Sequence, residues 1–326
     1  MRPKYLFIRI LEACNADCFM CGFALSRETY RFSPQDLARL LPNATRSGVR
    51  FVRFTGGETL MHGEIAELVE TAVAHGMRTS LITNGMLLPK KAARLAEAGL
   101  SQVIVSLDGA SASTHDFYRN SPGCFDNAMA GLVDMRDLGV LTRVNSVVGP
   151  HNYREVPAMQ REFSRLGVRR WELSALKLAR EVLYEDPDDV VRVCEPVYTP
   201  ADPTLLVPLG KRFYGDTEDE RHRFFVDAIT PRASGPTCRA TDDVIFYDPK
   251  AGSAYACSLL AYAADGAPIN VEAREGRAVP LETPTFRAHR EYFRDRGPRN
   301  CRNCSATAAG YSDDVQRQEF LPEWQY

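Results

Sequence analysis

Seven of the nine cysteines in this chain fall into two groups, and clustered thiols bind metals, carry redox chemistry or form disulfides. Cys14, Cys18 and Cys21 lie within EACNADCFMCGF, directly after the apolar run YLFIRIL. Their C-x3-C-x2-C spacing puts three thiolates on one tight loop, directed at a common point. Structural zinc sites prefer four ligands in two pairs, whereas three cysteines on one loop suit a cubane cluster that keeps one iron open. Cys238, Cys257, Cys301 and Cys304 form the second group. Four thiolates from one small module hold either zinc or a second iron–sulfur cluster, and spacing does not choose between them. Cys124 and Cys194 stand alone and read as buried small hydrophobes.

The elements that must position these thiols alternate through the first half of the chain. Residues 4–11, 49–56, 77–85, 101–109, 140–148 and 168–176 read as strands. Between them, apolar residues recur at three-to-four spacing in segments such as SPQDLARLLPNAT, GEIAELVETAVAHG and YREVPAMQREFSRLG. Six such repeats predict an α/β fold, a partial (β/α)6 barrel of parallel strands closed or nearly closed, with functional residues at the strands' carboxyl ends. The pattern stops near residue 177. The expected organisation is a barrel over residues 1–180, a Pro- and charge-rich connecting or covering region with two helices over 181–237, and a small metal-stapled iron–sulfur module with its tail over 238–326.

With 25% charged residues and a formal net charge of −2, the chain has no basic field for holding nucleic acid. No apolar run reaches the roughly 18 residues of a membrane span, and the amino terminus enters KYLFIRIL without a signal-peptide pattern. A cytoplasmic protein, bound to neither membrane nor nucleic acid, is expected, and a reducing compartment disfavours disulfides.

CNADCFMC followed by FTGGET on the second strand resembles the radical S-adenosylmethionine (SAM) superfamily over about residues 4–180. The resemblance implies that Cys14, Cys18 and Cys21 hold a 4Fe-4S cluster whose open iron chelates SAM. A cluster electron then cleaves SAM to methionine and a 5'-deoxyadenosyl radical, which takes a hydrogen from the substrate. Gly56, Gly57 and Glu58 resemble the family's glycine-glycine-glutamate segment, whose carboxylate accepts from the methionine ammonium. Thr83 and Asn84 in ITNG, Ser106 and Asp108 in VSLDG, and Asn145 in RVNSVV are further SAM-contact candidates, although strand-end turns favour the same residue types. Arg119 resembles an arginine placed near the methionine carboxylate. Met20 and Thr59 depart from the family pattern, standing where an aromatic residue and a proline are usual.

The second cysteine group resembles a twitch-type auxiliary module, which implies a second 4Fe-4S cluster, saturated by four protein ligands, for electron transfer or structural support. A flavodoxin- or ferredoxin-type reductant is the implied partner. Cys124 or Cys194 is the candidate for a thiol that returns hydrogen to a substrate radical. Arg27, Glu28 and Tyr30 follow the cluster loop and are candidates for the active-site mouth, Glu28 also for catalysis, and His62 lies beside GGET. Peptide-modifying enzymes of this kind commonly carry an added leader-binding domain, which is not expected here with the barrel's first strand starting at about residue 4, and the short extension resembles that of aminocyclitol dehydrogenases. A small sugar or nucleoside substrate is therefore expected. The loop CNADCFMCGFALSRETYRF is most similar to cytosylglucuronic acid decarboxylases of nucleoside-antibiotic pathways, and Arg143, Arg169 and Arg170 are equal candidates to pair with a substrate carboxylate. Dehydrogenation or epimerisation of an aminoglycoside-type sugar is the alternative, followed by peptide modification and, in a different class, a non-catalytic zinc-binding protein.

Overall fold

The computed structural model describes residues 4–178, 182–208, 217–227 and 244–255. All six expected strands form: β1 Tyr5–Leu11, β2 Phe51–Gly56, β3 Arg78–Thr83, β4 Gln102–Ser106, β5 Leu141–Val148 and β6 Arg170–Ala175. They pair in parallel in chain order, each followed by helix before the next. The intervening helices are α1 Pro34–Ser47, α2 Ile65–Ala74, α3 Leu88–Glu97, α4 Ala112–Arg119, α5 Cys124–Asp137 and α6 Val156–Arg165. α1 shows why they form where they do. The Ser33 hydroxyl accepts from the Asp36 amide, Pro34 occupies the first turn, and Gly48 closes the helix at φ 107°. Leu37, Leu40, Leu41 and Ala44 bury the face between.

Strand alternation separates two faces. Leu6, Ile8, Ile10, Val52, Phe54, Leu81, Val103, Val105, Val144 and Leu173 belong to the main core cluster, which also takes in the apolar faces of the helices. The opposite face is buried too, yet carries polar groups. In register across β1 to β4 lie Phe7, Arg53, Ser80 and Gln102. There the Arg53 guanidinium stacks 4.8 Å from the Phe7 ring centre while its Nε donates to Ser80 Oγ at 3.0 Å, and burial pushes its pKa down to about 9.

The sheet continues past β1 with β7 Val244–Asp248, parallel to β1, and β8 Ser253–Tyr255, antiparallel to β7. The boundary expected at residue 238 therefore does not separate these strands from the barrel sheet. All five residues of VIFYD are buried, and a strand covered on both faces needs the large sheet for support, which short-strand texture alone does not reveal. Among the described residues β6 and β8 are the sheet's edges, so it does not close. In the connecting region α7 Pro187–Tyr198 packs on α6, and α8 Glu218–Phe225 packs on α7. Among the described residues no helix is long and apolar enough to cross a membrane.

Candidate functional site

The cysteine loop leaves the carboxyl end of β1 and is fastened at both ends by one side chain. Glu12 accepts from Arg9 Nη1 at 3.1 Å and, through its other oxygen, from Ser26 Oγ at 2.6 Å. Arg9 also reaches Asp248 Oδ2 at 3.2 Å, tying the loop's base to β7. Within the loop Cys21 N donates to Cys18 O at 3.0 Å. Cys14 is half-buried, Cys18 buried and Cys21 exposed. Burial pushes the Cys14 thiol up to about 11 and raises that of Cys18, against the pull of the neighbouring Arg119. Among the described residues no three His, Cys, Asp or Glu side chains could hold one metal ion. The Cys14 thiol lies within electrostatic reach of those of Cys18 and Cys21. A cubane takes each thiolate on a different iron, so three neighbouring thiols on one loop fit such a cluster without meeting at one metal ion.

Gly56 and Gly57 bring the end of β2 against this loop. A Cβ on Gly56 would stand 2.1 Å from the Leu11 carbonyl oxygen, and one on Gly57 2.3 Å from those of both Glu12 and Ala13. In their place the backbone donates from Gly57 N to Leu11 O at 3.1 Å and from Glu58 N to Ala13 O at 2.9 Å. The close approach that these glycines permit is thus already made by the chain itself.

Glu58 follows, 1% exposed. Its Oε1 accepts from Leu60 N at 2.8 Å and Thr83 Oγ1 at 2.6 Å, and its Oε2 from Asn84 N at 2.7 Å. Burial pushes its carboxyl up, opposed by these three donors. No cation is within ion-pair distance of it among the described residues, and two carboxylate oxygens have room for a fourth donor. Thr59, at the position where the family pattern has proline, donates to Ile82 O at 2.7 Å and so straps β2 to β3.

Thr83 and Asn84 both serve the site from within. Asn84 Nδ2 donates to Asn15 Oδ1 at 2.8 Å, while its own Oδ1 accepts from Met86 N at 3.0 Å. Asn15 was missed in the sequence reading, although its place beside Cys14 was the available signal. Behind Asn84, Cys124 Sγ donates to the Asn84 carbonyl at 3.4 Å, its thiol pushed up to about 12 by burial.

At the end of β4 Asp108 is fully buried. Its Oδ1 accepts from Val147 N at 2.8 Å, and its Oδ2 lies 2.6 Å from Arg119 Nη2. Arg119 Nη1 approaches Cys18 Sγ at 3.8 Å. Ser106 and Asn145 are register partners on β4 and β5, half-buried, with Asn145 Oδ1 accepting from Arg143 Nε at 2.9 Å.

Several expected contributors lie elsewhere. Cys194 is buried in α7 among apolar residues of the helical layer, with its thiol pushed up by burial. Arg169 and Arg170 sit at the amino end of β6, opposite the cysteine loop. Arg143, one of the three arginines that could pair with a substrate carboxylate, is engaged by Glu172 and Asn145. Glu28 pairs with Lys250 at 2.8 Å, Arg27 is exposed, and Tyr30 is half-buried with its hydroxyl pushed up by burial. His62 is buried, with its pKa lowered by burial, and its Nδ1 accepts from Glu64 N at 3.1 Å. Cys238, Cys257, Cys301 and Cys304 lie outside the described residues.

Residues 8–163 match the radical SAM superfamily. An AdoMet-dependent heme synthase of Nitratidesulfovibrio vulgaris is 29% identical over 176 residues, covering 53% of this chain and 48% of that protein. A GTP 3',8-cyclase of Mycobacterium marinum is 36% identical over 161 residues, covering 46% of this chain and 44% of that protein. The chain thus spans about half the length of these relatives. Among solved structures, Streptococcus suis SuiB bound to S-adenosylmethionine shares the fold with a TM-score of 0.66 at 17% identity, over 94% of this chain and 72% of that one. The anSMEcpe structure with bound AdoMet does so with a TM-score of 0.65 at 17% identity, over 99% and 96%.

Proposed function

From the match of residues 8–163 to the radical SAM superfamily, we propose that this chain is an enzyme that cleaves SAM reductively and takes hydrogen from a small sugar or nucleoside acid, with decarboxylation as the outcome. The observation that carries the SAM reading is the juxtaposition of the three-cysteine loop with Glu58, through the Glu58 N to Ala13 O and Asn84 to Asn15 contacts. When bound, a 4Fe-4S cluster supplies the electron that splits SAM into methionine and the 5'-deoxyadenosyl radical. Cys14, Cys18 and Cys21 would hold it. Glu58 offers a buried anionic acceptor to the methionine ammonium, and its orientation is locked by the Thr83 hydroxyl and the Leu60 and Asn84 amides. Half-buried Ser106 and Asn145 add polar groups on the buried polar face of the sheet.

The sugar-acid reading rests on the likeness of the loop CNADCFMCGFALSRETYRF to cytosylglucuronic acid decarboxylases. Hydrogen abstraction from the sugar ring would leave a radical that promotes loss of the neighbouring carboxylate as carbon dioxide. A second cluster on the later cysteines would exchange electrons, and a low-potential flavodoxin- or ferredoxin-type protein would supply them. Oxidation or epimerisation of an aminoglycoside-type sugar is the alternative outcome on the same apparatus.

Anaerobic reconstitution with iron and sulfide, followed by reduction in the presence of SAM and cytosylglucuronic acid, tests both levels. The expected products are 5'-deoxyadenosine, carbon dioxide and the decarboxylated nucleoside. Failure to form deoxyadenosine overturns the SAM reading. Deoxyadenosine formed without consumption of the sugar acid overturns the substrate.

A further inference from the structure

One buried ion pair, Arg119 with Asp108, lies beside Cys18. Arg119 ends α4, where Asn120 turns the chain at φ 44°, and its side chain is 13% exposed. One arm of the guanidinium meets Asp108 Oδ2 at 2.6 Å, and the other points at Cys18 Sγ, 3.8 Å away. Asp108 is itself held from three sides. Val147 N donates to its carboxylate at 2.8 Å, its own amide donates to His115 Nδ1 at 3.0 Å, and Asn152 Nδ2 donates to its carbonyl at 2.7 Å. The arginine is thus aimed at the cysteine sulfur by an immobile carboxylate.

We propose that Arg119, oriented by Asp108, sets the reduction potential of the cluster held through Cys18. Arg119 is a positioning and tuning residue in this role; the proposal rests on the cluster reading above. One-electron reduction makes the cluster and its thiolates more negative. A guanidinium N–H directed at a ligand sulfur, in a site with little water, stabilises that added charge, so the potential rises. The Asp108 carboxylate keeps Arg119 charged and opposes its field, so removing either partner should move the potential in opposite senses.

EPR-monitored redox titration of the reconstituted protein tests this, with the SAM dissociation constant measured in parallel. R119Q is expected to lower the ratio of reduced to oxidised cluster at fixed poise about tenfold, a shift of about 59 mV to more negative potential. D108N keeps an acceptor for Arg119 while removing the opposing charge, and is expected to shift the potential to more positive values. R119K retains the charge without the two-armed geometry, should shift by less than R119Q, and carries the test if R119Q takes up no iron. A merely structural role would not give opposite signs for R119Q (or R119K) and D108N. Unchanged potentials with normal cluster spectra overturn the proposal, as do shifts in the same direction. Weakened SAM binding in R119Q at an unchanged potential also overturns it, and would make Arg119 a carboxylate ligand of SAM. A wild-type protein that assembles no cluster overturns the functional reading itself.

Discussion

Glu58 and Asp108 are both buried carboxylates just past the carboxyl ends of parallel strands, yet their surroundings differ in kind. Glu58 is held by two backbone amides and a hydroxyl, all neutral. Asp108 is met by the guanidinium of Arg119. Neutral donors orient a carboxylate without cancelling its charge, whereas an ion pair does both. The first carboxylate keeps its charge uncompensated by any ion pair among the described residues. The second is closed and works through its partner.

Breaking the closed pair should have the largest effect. Arg119→Ala leaves Asp108 buried without its counter-charge, and a loss of about 3–5 kcal/mol is expected in urea unfolding. A loss below about 1 kcal/mol would mean that water or another cation replaces the guanidinium and that the two sites are alike.

Glu58→Gln addresses the open site. Removing a charge-assisted hydrogen bond, worth about 1.5–3 kcal/mol, should weaken SAM binding roughly 10- to 100-fold in equilibrium dialysis. Asp108→Asn should change it by less than about threefold, since a change of that size is under 1 kcal/mol. Equal losses in the two variants would erase the distinction.

His115, which accepts from the Asp108 amide, makes the closed site pH-sensitive. Burial, with the charge of Arg119 second, pushes its pKa down to about 3 from an ordinary value of 6.5. Its contribution to stability is complete above pH 6.5. As pH falls toward 3 the unfolded chain takes up a proton that the folded chain refuses, and the contribution is lost. Between pH 6.5 and 5 this group should cost about 2 kcal/mol, measured as a shift in urea midpoint that His115→Gln removes.

The smallest effect is expected at Cys124, behind the open site. A serine hydroxyl can donate to the Asn84 carbonyl in place of the thiol, so Cys124→Ser should cost under about 1.5 kcal/mol and leave SAM cleavage unchanged. Loss of substrate turnover with SAM cleavage intact would instead restore Cys124 as a hydrogen donor.

Much of the framework was legible in the sequence because it is local. β1 to β6 appear within about three residues of their expected ranges, since alternating or continuous apolar runs between capped helical segments leave few other arrangements. The three-cysteine loop and the Gly56, Gly57, Glu58 segment were visible as motifs. Their contacts were not. The glycine pair was read as permitting close approach, but the nearest neighbour is the backbone of Leu11, Glu12 and Ala13. Arg9 was present as a lone charge inside YLFIRIL, yet its partners Glu12 and Asp248 come from the loop base and from β7. Arg143 was one of three arginines that could pair with a substrate carboxylate, and the neighbouring β6 strand supplies Glu172 as its partner.

The amino-acid sequence by itself determined the framework: strand and helix periods, three thiols on one loop, and an acidic residue after two glycines. These follow from chain chemistry at short separations. Which carboxylate stays open, which is closed, and which arginine faces a cysteine were decided by the tertiary structure. Those outcomes depend on strand register and helix docking, which bring Glu58 to Thr83 and Asn84, and Asp108 to Arg119 and Val147, across separations that no local pattern records.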